Sequence, residues 1–394
     1  MKPFDLPYEL KITEMSWPTR IVLGPGALGR LPQHAQRLGM RHPLVVTDQG
    51  VVKAGIAQRV YDVLAGAEIG FERFDRVQPN PTDRDASEGV EAYRRGGCDG
   101  IVAVGGGSSL DAAKLVQLLT THEPPLSRYD DAAGGDRYIR DDLPPLIAIP
   151  TTAGTGSEVG RSGVAILPDT GRKTVIFSPY LLPKVAICDP ELTVGLPPHL
   201  TAATGMDAFT HCLEAYLASG FHPLADAVAI DGIARVARSL TLAVRDGQNL
   251  HARTDMMIAA MDGAMAFKKG LGGCHALAHA LTPITGLHHG LANAIALPSV
   301  MEFNRGSCGA RLVRVAEAMG DTSSARDEVL AESAIERVRA LAREIGLPGR
   351  LREVGVREED LPRIAQRAFE DASHLTNPRK CTEADLLAIA RSAW

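Results

Sequence analysis

Asp99-Gly100-Ile101-Val102-Ala103-Val104-Gly105-Gly106-Gly107-Ser108-Ser109-Leu110-Asp111-Ala112-Ala113-Lys114 passes from an apolar, β-branched run through three glycines into an alanine-rich stretch. A continuous apolar run closed by glycine reads as a strand buried on both faces, and the residues after it read as a helix. Glycines at the junction let the backbone approach a ligand closely, while the first amides of the helix point at an anion. A pyrophosphate suits that turn. A plain tight strand-to-helix connection suits it too, because the triplet is not the GxGxxG fingerprint.

The same pattern recurs on either side. His42-Pro43-Leu44-Val45-Val46-Thr47-Asp48 and Pro145-Leu146-Ile147-Ala148-Ile149-Pro150 read as further buried strands, with Gly55 to Ala65 and Asp83 to Arg95 as crossover helices. Strand and helix in alternation predict a doubly wound, mostly parallel α/β domain that binds a dinucleotide. Asp48 ends its strand where a carboxylate accepts from both hydroxyls of an adenosine ribose and repels a 2'-phosphate, which favours NAD over NADP. An aspartate there also serves as a turn former. Pro150-Thr151-Thr152-Ala153-Gly154-Thr155-Gly156-Ser157-Glu158-Val159 concentrates hydroxyls and glycines after a strand, at the edge where open α/β sheets bind ligands. Lys173, in Gly171-Arg172-Lys173-Thr174, offers a cation near the ribose, against the ordinary solvated fate of a lysine.

After about Pro198 the texture changes. Leu200 to Leu217, Pro223 to Leu240, His251 to Phe267 and Arg326 to Ile345 are rich in Ala, Leu and Met at helical spacing, and strand signals vanish. The breaker residues of Asp189 to Pro198 mark the boundary, giving an α/β domain over 1–198 and an all-helical domain over 199–394. Polar, glycine-rich Asp130 to Asp142 reads as an exposed loop.

A length of 394 residues exceeds what one core organises, in keeping with two domains. A net charge of -5 with interspersed lysines and arginines gives no field for nucleic acid or anionic lipid, so a small-molecule ligand is expected. No apolar stretch reaches the roughly 18 residues of a membrane span, and Met1-Lys2-Pro3-Phe4-Asp5 lacks the apolar core of a signal peptide, which predicts a cytoplasmic protein. The six cysteines show no CxxC pair and read as reduced, mostly buried thiols rather than zinc ligands.

The helical half carries the metal chemistry. In Gly205-Met206-Asp207-Ala208-Phe209-Thr210-His211-Cys212-Leu213-Glu214, Asp207 and His211 stand i, i+4 on one helix face. Cys274-His275-Ala276-Leu277-Ala278-His279 repeats the spacing with two histidines, and His288-His289-Gly290 follows. Among twelve histidines one such pair arises easily by chance. The apolar neighbours change the reading, because an unpartnered buried imidazole is costly. One carboxylate with three imidazoles suits Fe(II), Zn(II) or another first-row divalent ion.

Together these motifs resemble the iron-containing (group III) alcohol dehydrogenases. The resemblance is carried by Gly105 to Ser108 with Asp111 and Lys114, Thr151 to Glu158, Gly205 to His211, His275 to His279, His289-Gly290 and Asn377-Pro378-Arg379, in that order, over residues 17 to 391. It implies a dehydroquinate synthase-like fold, an NAD-dependent alcohol dehydrogenase activity on a short primary alcohol or aldehyde, and a homodimer or higher homo-oligomer. It assigns Asp207, His211, His275 and His289 to the metal, with Fe(II) ahead of Zn(II), and places His279 beside the nicotinamide as a proton relay. It sets Asp48, Gly106, Gly107, Ser108, Asp111, Thr151, Thr152, Thr155 and Lys173 around NAD. The whole ligand set argues against the maleylacetate reductase branch and against a non-catalytic binding protein. The His275 to His279 motif argues against a lyase or cyclase of the dehydroquinate synthase type.

Phe267-Lys268-Lys269-Gly270-Leu271-Gly272-Gly273-Cys274-His275 is one residue shorter than in lactaldehyde reductase and propanediol dehydrogenase relatives and resembles the branch with 4-hydroxybutyrate dehydrogenases. By that likeness Phe267, Lys268, Arg161, Ser162 and Ser373 line the substrate channel, with Lys269 near it. The 4-hydroxybutyrate/succinic semialdehyde pair is the expected substrate, against lactaldehyde, a diol or another short aldehyde.

Overall fold

The computed structural model describes residues 19–167 and 171–394; the Met1 to Asp5 start, and with it the reading of its signal, lies outside them. The described chain divides into two compact units, 19–197 with 246–257, and 198–245 with 258–394.

The first unit is built on eight strands: β1 (Arg20–Leu23), β2 (Leu44–Val46), β3 (Glu72–Phe74), β4 (Ile101–Gly105), β5 (Leu146–Pro150), β6 (Ser162–Leu167), β7 (Arg172–Phe177) and β8 (Val185–Cys188). Six of them form one parallel sheet in the order β1-β8-β5-β4-β2-β3, and β6 with β7 is a separate antiparallel hairpin. Successive residues of the central strands feed opposite cores. Leu44, Val46, Ile101, Ala103, Leu146 and Ala148 join one core with Phe74, Val90 and Leu115, while Val45, Val102, Val104, Ile147 and Ile149 join the other with Leu31, Val60 and Leu64. Burial on both faces is why the strands read as unbroken apolar runs. At roughly 1.5 to 3 kcal/mol for each fully buried large aliphatic side chain, a charge at Val102 would break this layer.

Five helices accompany the sheet: α1 (Leu31–Arg37), α2 (Gln49–Lys53), α3 (Ile56–Gly66), α4 (Asp83–Arg95) and α5 (Gly107–Thr121). The crossover expected over Asp83 to Arg95 is α4, started by a capping box between Thr82 and Asp85. Asp130 to Asp142 is mostly exposed, as expected of a loop, but it carries short 3₁₀ turns over Asp131–Ala133 and Gly135–Tyr138, with Gly135 and Ile139 buried. Because β5, β4 and β2 are adjacent and parallel, the segments leaving their C-terminal ends share one edge: Thr151 onward, Gly105 to Ser108, and Asp48.

In the second unit the described residues hold no strand. Its helices are α6 (Pro198–Leu217), α7 (Pro223–Arg245), α8 (Leu250–Ala266, grouped with the first unit through Met257), α9 (Gly273–Thr285), α10 (His289–Ala318), α11 (Asp327–Glu344), α12 (Leu361–Phe369) and α13 (Glu383–Ala393). α6 is buried almost all round, as its apolar sequence requires. α10 comes close to it at Gly290, where a Cβ would overlap the carbonyl of Ala203. No helix among the described residues is long and apolar enough to cross a membrane, and the six cysteines are free, five of them buried.

Candidate metal and cofactor sites

On α6, Asp207, His211 and Glu214 stand at i, i+4 and i+7, so one helical stripe carries two carboxylates and an imidazole into the buried interior. α9 brings His275 and His279, and α10 begins at His289. Asp207 Oδ1 lies 3.5 Å from His289 Nε2 and 3.9 Å from His275 Nε2, and the three atoms fall within 4.8 Å of one another. His211 packs against this trio: its ring stacks on that of His275 at 4.3 Å, and its Nδ1 is 3.9 Å from Asp207 Oδ2.

The donor set fits a divalent cation. His275 Nδ1 is engaged by Glu214 Oε2 at 2.7 Å, which leaves Nε2 facing the cluster. Asn293, a turn into α10, sets its Nδ2 2.8 Å from Asp207 Oδ1 and 3.3 Å from both Nε2 atoms, one amide donor at the centre of three acceptors. Cys274 adds no thiolate. Burial raises its thiol well above the ordinary range, and its Sγ faces the Asn293 carbonyl.

His279 adjoins the cluster, its ring stacked on that of His289 at 5.2 Å, and its Nδ1 lies 2.9 Å from Asp371 Oδ2. Burial by itself would raise the Asp371 carboxyl; His279 and Ser373 outweigh it and hold it well below the usual carboxylate range. Ser373 enters this arrangement through its amide, 2.8 Å from Asp371 Oδ1. Phe267 sets its ring 5.2 Å from that of His211, and Lys268 is half-buried in the 3₁₀ turn over Phe267–Lys269. Lys269, expected near the channel, is committed elsewhere. Its buried ammonium bonds Asp226 Oδ1 at 2.5 Å and the Tyr216 carbonyl at 2.8 Å, and burial lowers it to about 8. A lysine inside the fold needs such partners, and Lys269 therefore offers no free cation to a substrate.

Glu214, Asn293 and Asp371 went unnoticed in the sequence. The first stands seven residues after Asp207 and the second four after His289, so helical spacing carries a signal for both. Asp371 lies 92 residues from His279, and nothing local marks it.

In the first unit, α5 starts at Gly107 with no side chain capping it, so its first amides face the sheet edge. Gly105 has φ 149°, a conformation suited to glycine, and a Cβ on Gly107 would come within 2.6 Å of Thr155 Cγ2. The glycine turn and the threonine loop are thus packed face to face, with Thr152 and Thr155 on Gly106 and Gly107. Beneath them Asp111 Oδ1 accepts from Ser157 Oγ at 2.6 Å, and buried Lys114 donates to Ser157 O, Ser157 Oγ and Ser162 O. Asp111 therefore braces the loop. Burial pushes neighbouring Glu158 up to about 7 and Lys114 down to about 8. Burial raises the Asp111 carboxyl above its ordinary range, and Lys114, Ser157 and Lys173, the last on β7 opposite Ile166, offset that only in part. Ser108 Oγ lies 3.4 Å from Asn80 N.

Asp48 has two structural duties at this edge. Its Oδ1 caps α2 by accepting from Gly50 N and Val51 N, and its Oδ2 accepts from Ser109 Oγ at 2.6 Å. Arg161 precedes β6 with its guanidinium 5.8 Å over the Phe177 ring; its Nε is buried without a hydrogen-bond partner among the described residues.

Residues 18–190 match the family model of iron-containing alcohol dehydrogenases, and residues 201–394 match the C-terminal model of the same family. The chain is 46% identical to 4-hydroxybutyrate dehydrogenase of Cupriavidus necator, covering 93% of this chain and 96% of that protein. The crystal structure of a 1,3-propanediol oxidoreductase is similar at TM-score 0.94 and 40% identity, covering 98% of this chain and all of that one. Sulfoacetaldehyde reductase from Bifidobacterium kashiwanohense, solved in complex with NAD+, is similar at TM-score 0.87 and 28% identity, covering 97% of this chain and 99% of that one. With both halves matched and a relative this close along nearly the full length, the chain belongs to the iron-containing alcohol dehydrogenases, NAD-dependent oxidoreductases that act on alcohols with a metal.

Proposed function

We propose that the protein interconverts 4-hydroxybutyrate and succinic semialdehyde, or a short primary alcohol and aldehyde of the same class, with a divalent cation held by Asp207, His211, His275 and His289. The observation that carries this reading is the convergence of Asp207 Oδ1, His275 Nε2 and His289 Nε2 within 4.8 Å. A cation bound there supplies Lewis acidity toward an alcohol or carbonyl oxygen. A nitrogen and oxygen ligand set without thiolate suits Fe(II), with Zn(II) as the rival.

In this reading His279 handles the proton. With Nδ1–H given to Asp371, Nε2 takes the proton an alcohol loses on oxidation and returns it on reduction. NAD would be held by the 1–198 domain and would supply the hydride acceptor: the α5 amides with Gly106, Gly107 and Ser108 would hold the pyrophosphate, Thr151, Thr152, Thr155 and Lys173 the rest, and Asp48 the ribose. Asp111 acts by bracing the threonine loop. The 199–394 domain holds the metal. The same reading takes the enzyme to be cytoplasmic and a homodimer or larger homo-oligomer.

The name of the Cupriavidus necator relative and the unsatisfied Nε of Arg161 favour a substrate with a distal carboxylate. The likeness to 1,3-propanediol oxidoreductase favours a second reading, a neutral diol. The ligand assignment is tested by His289→Ala, which should lose metal and turnover together while NADH binding persists. Full metal occupancy with normal activity in that variant would overturn it.

A further inference from the structure

We infer that Glu214 is the positioning residue that prepares His275 for metal: its carboxylate fixes the hydrogen on Nδ1 and so turns the Nε2 lone pair into the Asp207 and His289 cluster. The inference rests on the proposed role of His275 as a ligand.

Three donors end on this one buried carboxylate. His275 Nδ1 lies 2.7 Å and His275 N 3.1 Å from Oε2, while Cys274 N lies 2.7 Å from Oε1. Both carboxylate oxygens already accept from backbone N–H groups, so the ring nitrogen facing Oε2 completes the set as a third donor and carries the hydrogen. Nε2 is then bare, and the Asn293 amide nitrogen that approaches it to 3.3 Å agrees with that assignment. The two backbone contacts add a second constraint, because the carboxylate that orients the ring also grips the peptide units on which the ring is mounted. A negative charge at the start of α9 is favourable in its own right.

Capping alone does not explain a carboxylate here. The first amide of α9, Gly273 N, is already bonded by Asn377 Oδ1 at 3.1 Å. Gly272 gives both side chains their approach, since a Cβ there would crowd Glu214 Oε1 and Asn377 Oδ1. An amide in place of Glu214 has one acceptor for three donors. Turned one way its NH2 forces the hydrogen onto Nε2; turned the other way it meets the Cys274 N–H and is pushed off the helix terminus together with the ring.

The test is Co(II) affinity, measured by competition with a chromogenic chelator on full-length protein, with circular dichroism verifying the fold. Glu214→Gln and Glu214→Ala should each bind Co(II) roughly 10- to 100-fold more weakly than wild type, with an altered Co(II) absorption spectrum. A purely structural role lowers the melting temperature of the metal-free protein and leaves the affinity of folded protein alone. Affinity within about threefold of wild type in a folded variant would overturn the inference, and the Gln variant alone decides if the Ala variant fails to fold. His275→Ala separates the two levels. If it keeps wild-type Co(II) affinity, the ligand reading fails; if it loses Co(II) and the Glu214 variants do not, the positioning role alone fails.

Discussion

Asp371 Oδ2 lies 2.9 Å from His279 Nδ1, joining two residues 92 positions apart. The carboxylate is held below its usual range against the pull of burial, so it stays ionised and fixes the imidazole hydrogen on Nδ1. In the neutral ring that arrangement leaves Nε2 as the acceptor. Asp371→Asn should cut kcat by about 10- to 100-fold while metal content and NADH affinity stay at wild-type values. Steady-state kinetics alongside elemental analysis would show it, and an unchanged kcat would remove His279 from proton transfer.

Residue patterning made much of this fold legible, and its limits have physical causes. Val102 and its neighbours face two cores, so an unbroken apolar run closed by glycine announced their strand. The edge strand β3, Glu72-Arg73-Phe74, has one core-facing residue among two charged ones and carries no such pattern. In the candidate site, Asp207, His211 and His275 stood out as polar residues in apolar helices. Lys269 shows the converse, since nothing local distinguishes a lysine that meets a substrate from one whose partners, Asp226 and the Tyr216 carbonyl, come from other segments.

Cofactor choice should turn on the charge of Asp48 rather than on its shape. Glycine there would also remove the side-chain cap of α2, at roughly a few tenths of a kcal/mol, and the acceptor for Ser109 Oγ, and so confuse the result. Asn keeps a capping oxygen and loses the charge. Asp48→Asn should therefore raise kcat/KM for NADP relative to NAD by roughly 10-fold, the order expected from removing one nearby charge repulsion. The two specificity constants decide it, and a wild type that already preferred NADPH would leave the ribose role without support.

Asp262 gives a pH signature to the helical unit. Burial first, and Asp231 next, push its carboxyl up to about 7 against the pull of Arg235, whose Nε lies 3.9 Å from the buried Oδ2. A folded value above the unfolded one means that the favourable contribution is whole below about pH 4 and is lost as pH rises through about 7. Asp262→Asn should therefore melt several degrees above wild type at pH 8 and close to it at pH 4.5. A difference in melting temperature that does not vary with pH would contradict this account.

On the proposed reading, Arg161 is the residue that would set substrate choice. Its guanidinium is half-buried over Phe177, desolvation lowers it below the ordinary arginine range, and the buried Nε has no hydrogen-bond partner among the described residues. A cation in that condition gains by meeting an anion, and a carboxylate at the far end of a short aldehyde is one that fits the proposed chemistry. A charge-assisted hydrogen bond contributes about 1 to 3 kcal/mol, or roughly 5- to 150-fold in kcat/KM. Succinic semialdehyde should be reduced faster than butyraldehyde by a factor in that range. Arg161→Ala should erase most of the preference by slowing the charged aldehyde alone, and Lys268→Ala reports whether the second cation shares the task. Equal specificity constants for both aldehydes in the wild type would sink the anionic substrate and leave an alcohol dehydrogenase for neutral primary alcohols.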